Sequence, residues 1–363
     1  MPKSLVARPK ANQGVGIHEF RDPRPIMNFA SNLTGKTIHG WVVEEKNQKS
    51  DGTGGCFSSG YRVRHEDTKR RAFLKAFNLE YAFSGGSLID HLNQMTSDFK
   101  HERDLAQKCN GHNFDHVVII LDHGEYLDPA ATSKTDTVPY LVFEMAEHDI
   151  RRHPKIQKLN LAWRLRVFHG TCVGLMQLHS IGSKHQDLKP SNVLVFEGDI
   201  SKIGDLGRAT SDISNHNSGP GYHGDPGYKP IEYYYEEDWN GNKCSSDLYM
   251  LGSFLTFLFA DVQFFGSMLL KLPPAYHPLN WTGSLDAAIP ALRSASTAAI
   301  SEIVAKVPDS IKEDAKNLLL WLCDPDPKVR GNPEAAAERN PHSLSRIVTI
   351  ADRMANRMAL ESK

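Results

Sequence analysis

The stretch from His185 to Gly207 constrains this chain more than any other. It reads His185-Gln-Asp187-Leu-Lys189-Pro-Ser-Asn192 and, after a short apolar run, Lys202-Ile-Gly-Asp205-Leu-Gly207. Phosphoryl transfer asks little covalent chemistry of a protein, but it needs acidic and amide groups at fixed separations. An Asp can orient the attacking hydroxyl, an Asn a few residues on can hold a magnesium ion, and a later Asp can hold metal against phosphates. Asp187, Asn192 and Asp205 occur in that order. Asp, Asn, Pro and Gly also punctuate ordinary loops, so the motif needs support from elsewhere in the chain.

Support comes from both sides. Upstream, Arg71-Ala-Phe-Leu-Lys75-Ala-Phe77 has the makings of a half-buried strand with one lysine. The helical stretch Phe99-Lys-His-Glu102-Arg-Asp-Leu105 offers Glu102 as its ion-pair partner, with Asp104 as a neighbouring rival. Earlier still, Thr53-Gly54-Gly55-Cys56-Phe57-Ser58-Ser59-Gly60 is glycine-rich, and glycines let backbone amides approach a phosphate. Downstream, Gly224-Asp-Pro-Gly-Tyr-Lys-Pro-Ile-Glu232 closes a polar stretch, and Arg330 ends Cys323-Asp-Pro-Asp-Pro-Lys-Val-Arg330. With all these parts in order, the chain resembles the eukaryotic-like (Hanks-type) protein kinases. Its glycine loop and Phe-Leu-Lys strand look similar to standalone bacterial members of that family.

The resemblance implies an α+β fold of two lobes: a small, mainly antiparallel β lobe and a larger helical one. The expected division is an N-terminal extension over residues 1–40, the small lobe over 41–145, the large lobe over 146–340 and a C-terminal helix over 341–363. It implies ATP and Mg²⁺ as cofactors. Asp187 would orient the acceptor hydroxyl, Lys189 would steady the phosphoryl group, and Asn192 and Asp205 would hold metal. Gly54, Gly55 and Phe57 would cover the phosphates, Lys75 and Glu102 would position them, and the backbone of Glu144 and Ala146 would face the adenine edge, with Phe143 as gatekeeper. Asp187-Leu-Lys189-Pro-Ser-Asn192 matches the Ser/Thr-type catalytic loop, which implies serine or threonine hydroxyls on protein, autophosphorylation included. A buried Glu232–Arg330 pair is expected to be structural; it disfavours a small-molecule kinase, the lesser rival reading.

Several positions depart from the family pattern. Gly60 stands where a Val is usual and Phe73 where the lysine strand has a small Ala. The two changes look like a volume exchange across one cavity, with Phe73 filling the space Gly60 vacates. Together with the thinned glycine loop they keep open the alternative of a pseudokinase, a nucleotide-binding scaffold. Gln186 replaces the Arg that reads an activation-loop phosphate, so a phosphate on Thr210, Ser211, Ser214 or Ser218 has no evident receiver, and a non-RD enzyme active without it is expected. Asp225 stands where a Thr usually bridges the catalytic Asp and Lys, so a Lys189–Asp225 contact is expected.

Composition agrees and excludes. The 363 residues suit one two-lobed unit. A net charge of -1 argues against general nucleic-acid binding. Cys56, Cys109, Cys172, Cys244 and Cys323 form no CxxC pair, so neither a disulfide framework nor a zinc site is implied. Met1-Pro-Lys-Ser-Leu is too polar for a signal peptide and no apolar core follows, so none is expected. Leu248 to Leu270 is apolar enough to raise a membrane span, with Asp261 its only charge before Lys271. Ser246-Asp247-Leu-Tyr-Met-Leu-Gly252 instead matches a buried helix of the large lobe, whose Asp ties back to the catalytic loop. The expectation is therefore a cytoplasmic kinase with a protein substrate, no membrane or nucleic-acid partner, and an oligomeric state left open. Leu161 to Ser180 should form a buried helix, Val117 to Leu121 and Pro139 to Met145 two strands. Leu344, Ile347, Ile350, Met354 and Met358 mark one apolar face of a terminal helix packed on the large lobe.

Overall fold

The computed structural model describes residues 29–47, 58–79, 87–131, 136–151, 158–211, 221–236, 238–337 and 340–362. The small lobe is one antiparallel sheet of six strands: β1 (Thr37–Ile38), β2 (Trp41–Lys46), β3 (Ser58–His65), β4 (Arg71–Phe77), β5 (Ile120–Tyr126) and β6 (Val138–Glu144). Their order across the sheet is β1-β2-β3-β4-β6-β5. Alternation decides the faces. Tyr61 and Val63 of β3, Ala72, Leu74 and Ala76 of β4, and Tyr140 and Val142 of β6 point to one side and form a buried cluster with Leu33, Ile38 and Trp41. The Tyr61 hydroxyl donates to Ala30 O at 2.7 Å. Residues 29–40, grouped from the sequence with the extension, thus pack into the sheet. Leu33 and Ile38 are fully buried.

The other face of the sheet receives α1 (Leu88–Gly111), which starts at the N-cap Ser87. Phe77, Phe99, Ala106, Ile120 and Leu141 form the seam between them. The strand expected over Val117–Leu121 begins only at Ile120 and continues through polar residues to Tyr126. The reason is that the apolar run serves two partners. Val117 forms a parallel bridge to Ile203 and Val118 N donates to Ile203 O at 3.0 Å, so its first half is sewn to the large lobe. The second half then pairs with β6.

The large lobe is built on helices, with short strands at its upper edge. In chain order these are β7 (His148–Asp149), α2 (Leu161–Ser180), β8 (Ser183–Lys184), the hairpin β9 (Val193–Phe196) and β10 (Ile200–Ile203), and β11 (Thr210–Ser211). Then come α3 (Glu232–Tyr235), α4 (Lys243–Ala260), α5 (Phe264–Leu269), α6 (Leu285–Val304), α7 (Asp309–Leu322), α8 (Pro333–Ala337) and α9 (Ser345–Glu361). The apolar stretch 248–270 is split between α4 and α5, because Asp261 takes a left-handed conformation (φ 57) that ends α4. α4 is buried nearly all round, which explains its apolar composition. Among the described residues no helix is long and apolar enough to cross a membrane. Leu344, Ile347, Ile350, Met354 and Met358 are all buried, and α9 packs on α2 and α7. Arg166 of α2 bonds Asp352 at 3.0 Å and Asn356 at 2.8 Å on α9.

One ion pair lies at the centre of this lobe. Arg330 Nη1 and Nη2 donate to Glu232 Oε1 and Oε2 at 3.0 and 2.8 Å, with both side chains fully buried. Two further donors are used as well: Arg330 Nη1 reaches Ser245 O at 2.8 Å and Nε reaches Asp324 O at 2.9 Å. Ser246 Oγ donates to Glu232 Oε1. The pair ties the end of the 221–232 segment to the foot of the lobe. Removing one partner strands a buried charge, so Arg330→Ala should lose about 3–5 kcal/mol in urea unfolding. Arg330→Lys should lose much of the same, since an ammonium cannot reproduce the planar fork.

Candidate active site

The carboxylate of Asp247, wholly buried near the start of α4, fixes the loop that carries the 185–192 motif. Its Oδ2 accepts from His185 N and its Oδ1 from Gln186 N, both at 2.8 Å. His179 Nε2 lies 2.8 Å from Oδ2. Burial alone would lower the pKa of His179, but its bond to Asp247 raises it to about 9; His179 in turn holds the Asp247 carboxyl below its usual range despite burial. His185 is fixed as a tautomer by its neighbours: Nδ1 accepts from Asp187 N at 3.2 Å, so Nε2–H donates to Gly204 O at 3.0 Å. That bond joins the 185–192 loop to the residue before Asp205. Gln186 sits in the left-handed region (φ 60), with its side chain donating to Asp247 Oδ1 and Lys243 O, each at 2.9 Å.

Asp187 is presented by this loop with both oxygens engaged. Oδ2 accepts from Lys189 Nζ at 2.8 Å and from Asn192 Nδ2 at 3.2 Å, and Oδ1 from Asp225 N at 2.8 Å. Burial pushes its pKa up, against the pull of Lys189. Lys189 Nζ stands 3.6 Å from Asp225 Oδ2, the contact expected from the sequence. The ammonium thereby separates two carboxylates that would otherwise repel.

Lys75 spans the cleft. Its Nζ lies 2.9 and 2.8 Å from the two oxygens of Glu102 and 2.7 Å from Asp205 Oδ1. Burial alone would lower its pKa, yet the two carboxylates raise it. Lys75 holds the half-exposed Asp205 carboxyl down at about 2, while burial pushes Glu102 up. Asp104 instead bonds Arg103 at 2.7 Å on the solvent side. The β4 lysine, the α1 glutamate and the Asp205 loop therefore meet at one point.

At the back of the cleft, the strand β6 leads through Phe143 to Glu144 and Ala146. Glu144 N donates to Ile119 O at 3.0 Å. Its side chain, a feature the sequence did not disclose, accepts from Ile119 N at 2.8 Å and Lys202 Nζ at 2.7 Å. This pins the end of β6 to β10, the strand entering Asp205. Among the described residues Ala146 N–H has no acceptor, although Glu147 N and Ile150 N bond to Val195 O and Val193 O. Gly60 and Phe73 meet as the volume exchange requires: a Cβ on Gly60 would stand 2.6 Å from Phe73 Cζ. Gly54, Gly55, Phe57, Ser214 and Ser218 lie outside the described residues. Beside Asp225 a groove of about 740 Å³ opens, lined by Arg151, Pro190, Tyr228, Phe257 and Leu270 among others.

The family model described as the protein kinase domain matches residues 48–340. The chain belongs to that family. Among its curated relatives, the CBL-interacting protein kinase 26 of rice (Oryza sativa subsp. japonica) is 28% identical over 167 residues, 46% of this chain and 29% of that protein. A probable serine/threonine-protein kinase of Arabidopsis thaliana is 26% identical over 194 residues, 52% of this chain and 31% of its own. A serine/threonine-protein kinase of Scheffersomyces stipitis is 27% identical over 130 residues, covering 34% and 27%. The chain thus spans less than a third of the length of the relatives it matches. These relatives are plant and fungal and lend nothing to the bacterial likeness.

The protonated His179 gives a testable stability profile. Its pKa of about 9 lies above the ordinary 6.5, so the stabilisation is whole below pH 6.5 and is lost as pH rises through 9. Unfolding free energy should fall by up to about 3 kcal/mol across that interval. Guanidinium titrations at a series of pH values should show the slope in the wild type and its absence in His179→Gln.

Proposed function

We propose that this kinase-family chain transfers the terminal phosphoryl group of ATP, with Mg²⁺, to serine or threonine hydroxyls of proteins. The observation that carries the reading is the meeting of Lys75, Glu102 and Asp205 at one point, in the same cleft as Asp187 with its Lys189 and Asn192 partners. The donor set suits the cofactor. Among the described residues no three His, Cys, Asp or Glu side chains converge as a metal cage, and Mg²⁺ is ordinarily held by one or two carboxylates together with substrate phosphates. Asp205 and Asn192 would hold it, and once bound it neutralises charge on the phosphates.

The roles of the chain's own groups follow from their bonds. Lys75, kept cationic by two carboxylates, binds phosphate oxygens. Asp187 receives the acceptor hydroxyl and takes its proton as the oxygen–phosphorus bond forms; burial makes it a better base than an ordinary carboxylate. Lys189 offsets negative charge on the transferring group. Ala146 N–H meets an acceptor on the base edge. The groove beside Asp225 gives an extended polypeptide a seat next to Asp187. Because the Gln186 side chain is occupied by Asp247 and Lys243, no cation at that position reads an activation-loop phosphate, and activity of the non-RD kind follows.

Labelled-phosphate transfer from Mg·ATP to the protein itself and to casein tests this. The wild type should label Ser or Thr, and Asp187→Ala and Lys75→Ala should each lose at least about a hundredfold in rate. ATP binding without transfer by the wild type would favour the scaffold reading, and label on an added alcohol but never on protein would favour a small-molecule kinase. Pretreatment of the wild type with phosphatase should leave its rate unchanged.

A further inference from the structure

We propose that the groove beside Asp225 selects protein substrates by a large apolar side chain within about three residues of the acceptor hydroxyl, and that Leu270 is the residue that reads it. The inference rests on the protein-phosphorylation reading above and adds to it the kind of sequence that surrounds the acceptor.

Position is the first ground. Asp225 N donates to Asp187 Oδ1 at 2.8 Å, and Asp225 lines the groove together with Pro190, three residues beyond Asp187 in the same loop. The groove therefore opens directly from the group that receives the hydroxyl. An extended chain advances about 3.3 Å per residue and turns alternate side chains to alternate faces, so a neighbour of the acceptor falls inside it. A volume of about 740 Å³ leaves room for a leucine or phenylalanine side chain and the backbone that carries it.

Charge is the second ground. Among the described residues the groove is lined by three ionised side chains, Asp225, Asp261 and Arg151. Asp225 is already engaged, its Oδ1 by Gly227 N at 2.8 Å and its Oδ2 by the Lys189 ammonium at 3.6 Å. Asp261 and Arg151 remain, with opposite signs and a common neighbour. Burial, then Asp225, raises the pKa of the Tyr228 hydroxyl, while Arg151 lowers it and Asp261 raises it. A cation entering here gains one attraction and meets one repulsion, and so does a carboxylate. Each also gives up hydration, so charge of either sign goes without a net reward.

The third ground is an apolar wall that the fold does not use up. α5 buries Phe264 and Met268 on one face and presents Gly266 and Leu270, four residues apart, to the groove. No atom lies within 4 Å of where a Gly266 Cβ would stand, so the wall is open there. Phe257 and Val262 face the same space and pack only partly into the core. Leu270 is 85% exposed and, among the described residues, joins no hydrophobic cluster. A lone exposed leucine needs no explanation. This one forms the lip of a groove that opens from Asp187, where an apolar side chain leaves water on docking.

Initial rates of labelled-phosphate transfer from Mg·ATP to synthetic peptides test this, using the full chain, with melting curves as the folding control. Each peptide carries one Ser in an Ala/Gly background, with Leu, Lys or Glu placed singly at each of three positions on either side; casein is the general acceptor. At one or more positions Leu should raise kcat/KM about tenfold over Ala, while Lys and Glu should not. Leu270→Ser should remove that advantage through KM for the peptide rather than KM for ATP. Leu270→Glu should hand the advantage to Lys at the same position, a gain that misfolding cannot produce. Arg151→Ala should favour Lys peptides and Asp261→Asn should favour Glu peptides; Asn tolerates the left-handed backbone at that position (φ 57). Wild type that prefers Lys or Glu to Leu, or shows no preference, overturns the apolar selection. A Leu preference that survives both Leu270 variants unchanged overturns the assignment of Leu270. Wild type that labels neither casein nor any peptide overturns the transfer reading itself.

Discussion

A single buried carboxylate sets the frame for the chemistry. Asp247 accepts from two consecutive backbone amides, from the Gln186 amide and from a protonated His179. A buried anion is tolerable only when its lone pairs are satisfied, and satisfying them fixes the backbone of His185 and Gln186. With that backbone fixed, the two His185 ring nitrogens have one compatible assignment. The Gly204 carbonyl is then tied to the same loop, and Asp187 and Asp205 are held relative to each other. The geometry of the acid groups descends from α4, well below the cleft.

Each cation in the cleft is shared between two anions, which leaves the cleft net negative. Two ammonium groups serve four carboxylates: Lys75 between Glu102 and Asp205, Lys189 between Asp187 and Asp225. Each cation stands between anions contributed by different parts of the chain, so each also fastens those parts together. Lys75 joins β4, α1 and the Asp205 turn. Lys189 joins the 185–192 loop to the segment ending at Glu232, which Arg330 anchors in turn. The Lys75–Asp205 pair that helps assemble the site is thus also one that joins the two lobes.

What the sequence disclosed was whatever is local or fixed in spacing. Asp187, Lys189 and Asn192 lie within six residues; α2 shows its period; the apolar stripe of α9 names its own buried face. Even the Gly60–Phe73 exchange was visible, since a missing side chain and an oversized one stood on neighbouring strands, diagonal to each other in the register that pairs Gly60 with Lys75 and Phe73 with Arg62. What stayed hidden depends on partners far along the chain. The Glu144–Lys202 bond joins residues 58 apart, and neither residue type announces it. The start of β5 differed from the expected Val117 because half of an apolar run belongs to the other lobe. Leu33 and Ile38 sit in a stretch without periodicity, so their burial could not be read from pattern.

The packing of α9 on α2 has a consequence for how the chain is made. Arg166 and Asp352 are 186 residues apart, and the apolar face of α2 that α9 covers is complete long before α9 leaves the ribosome. Through that interval the nascent large lobe carries an open greasy strip, the kind of surface that holdase chaperones grip and that drives premature association. Yield in a cell should therefore follow the speed at which the ribosome crosses the intervening helices.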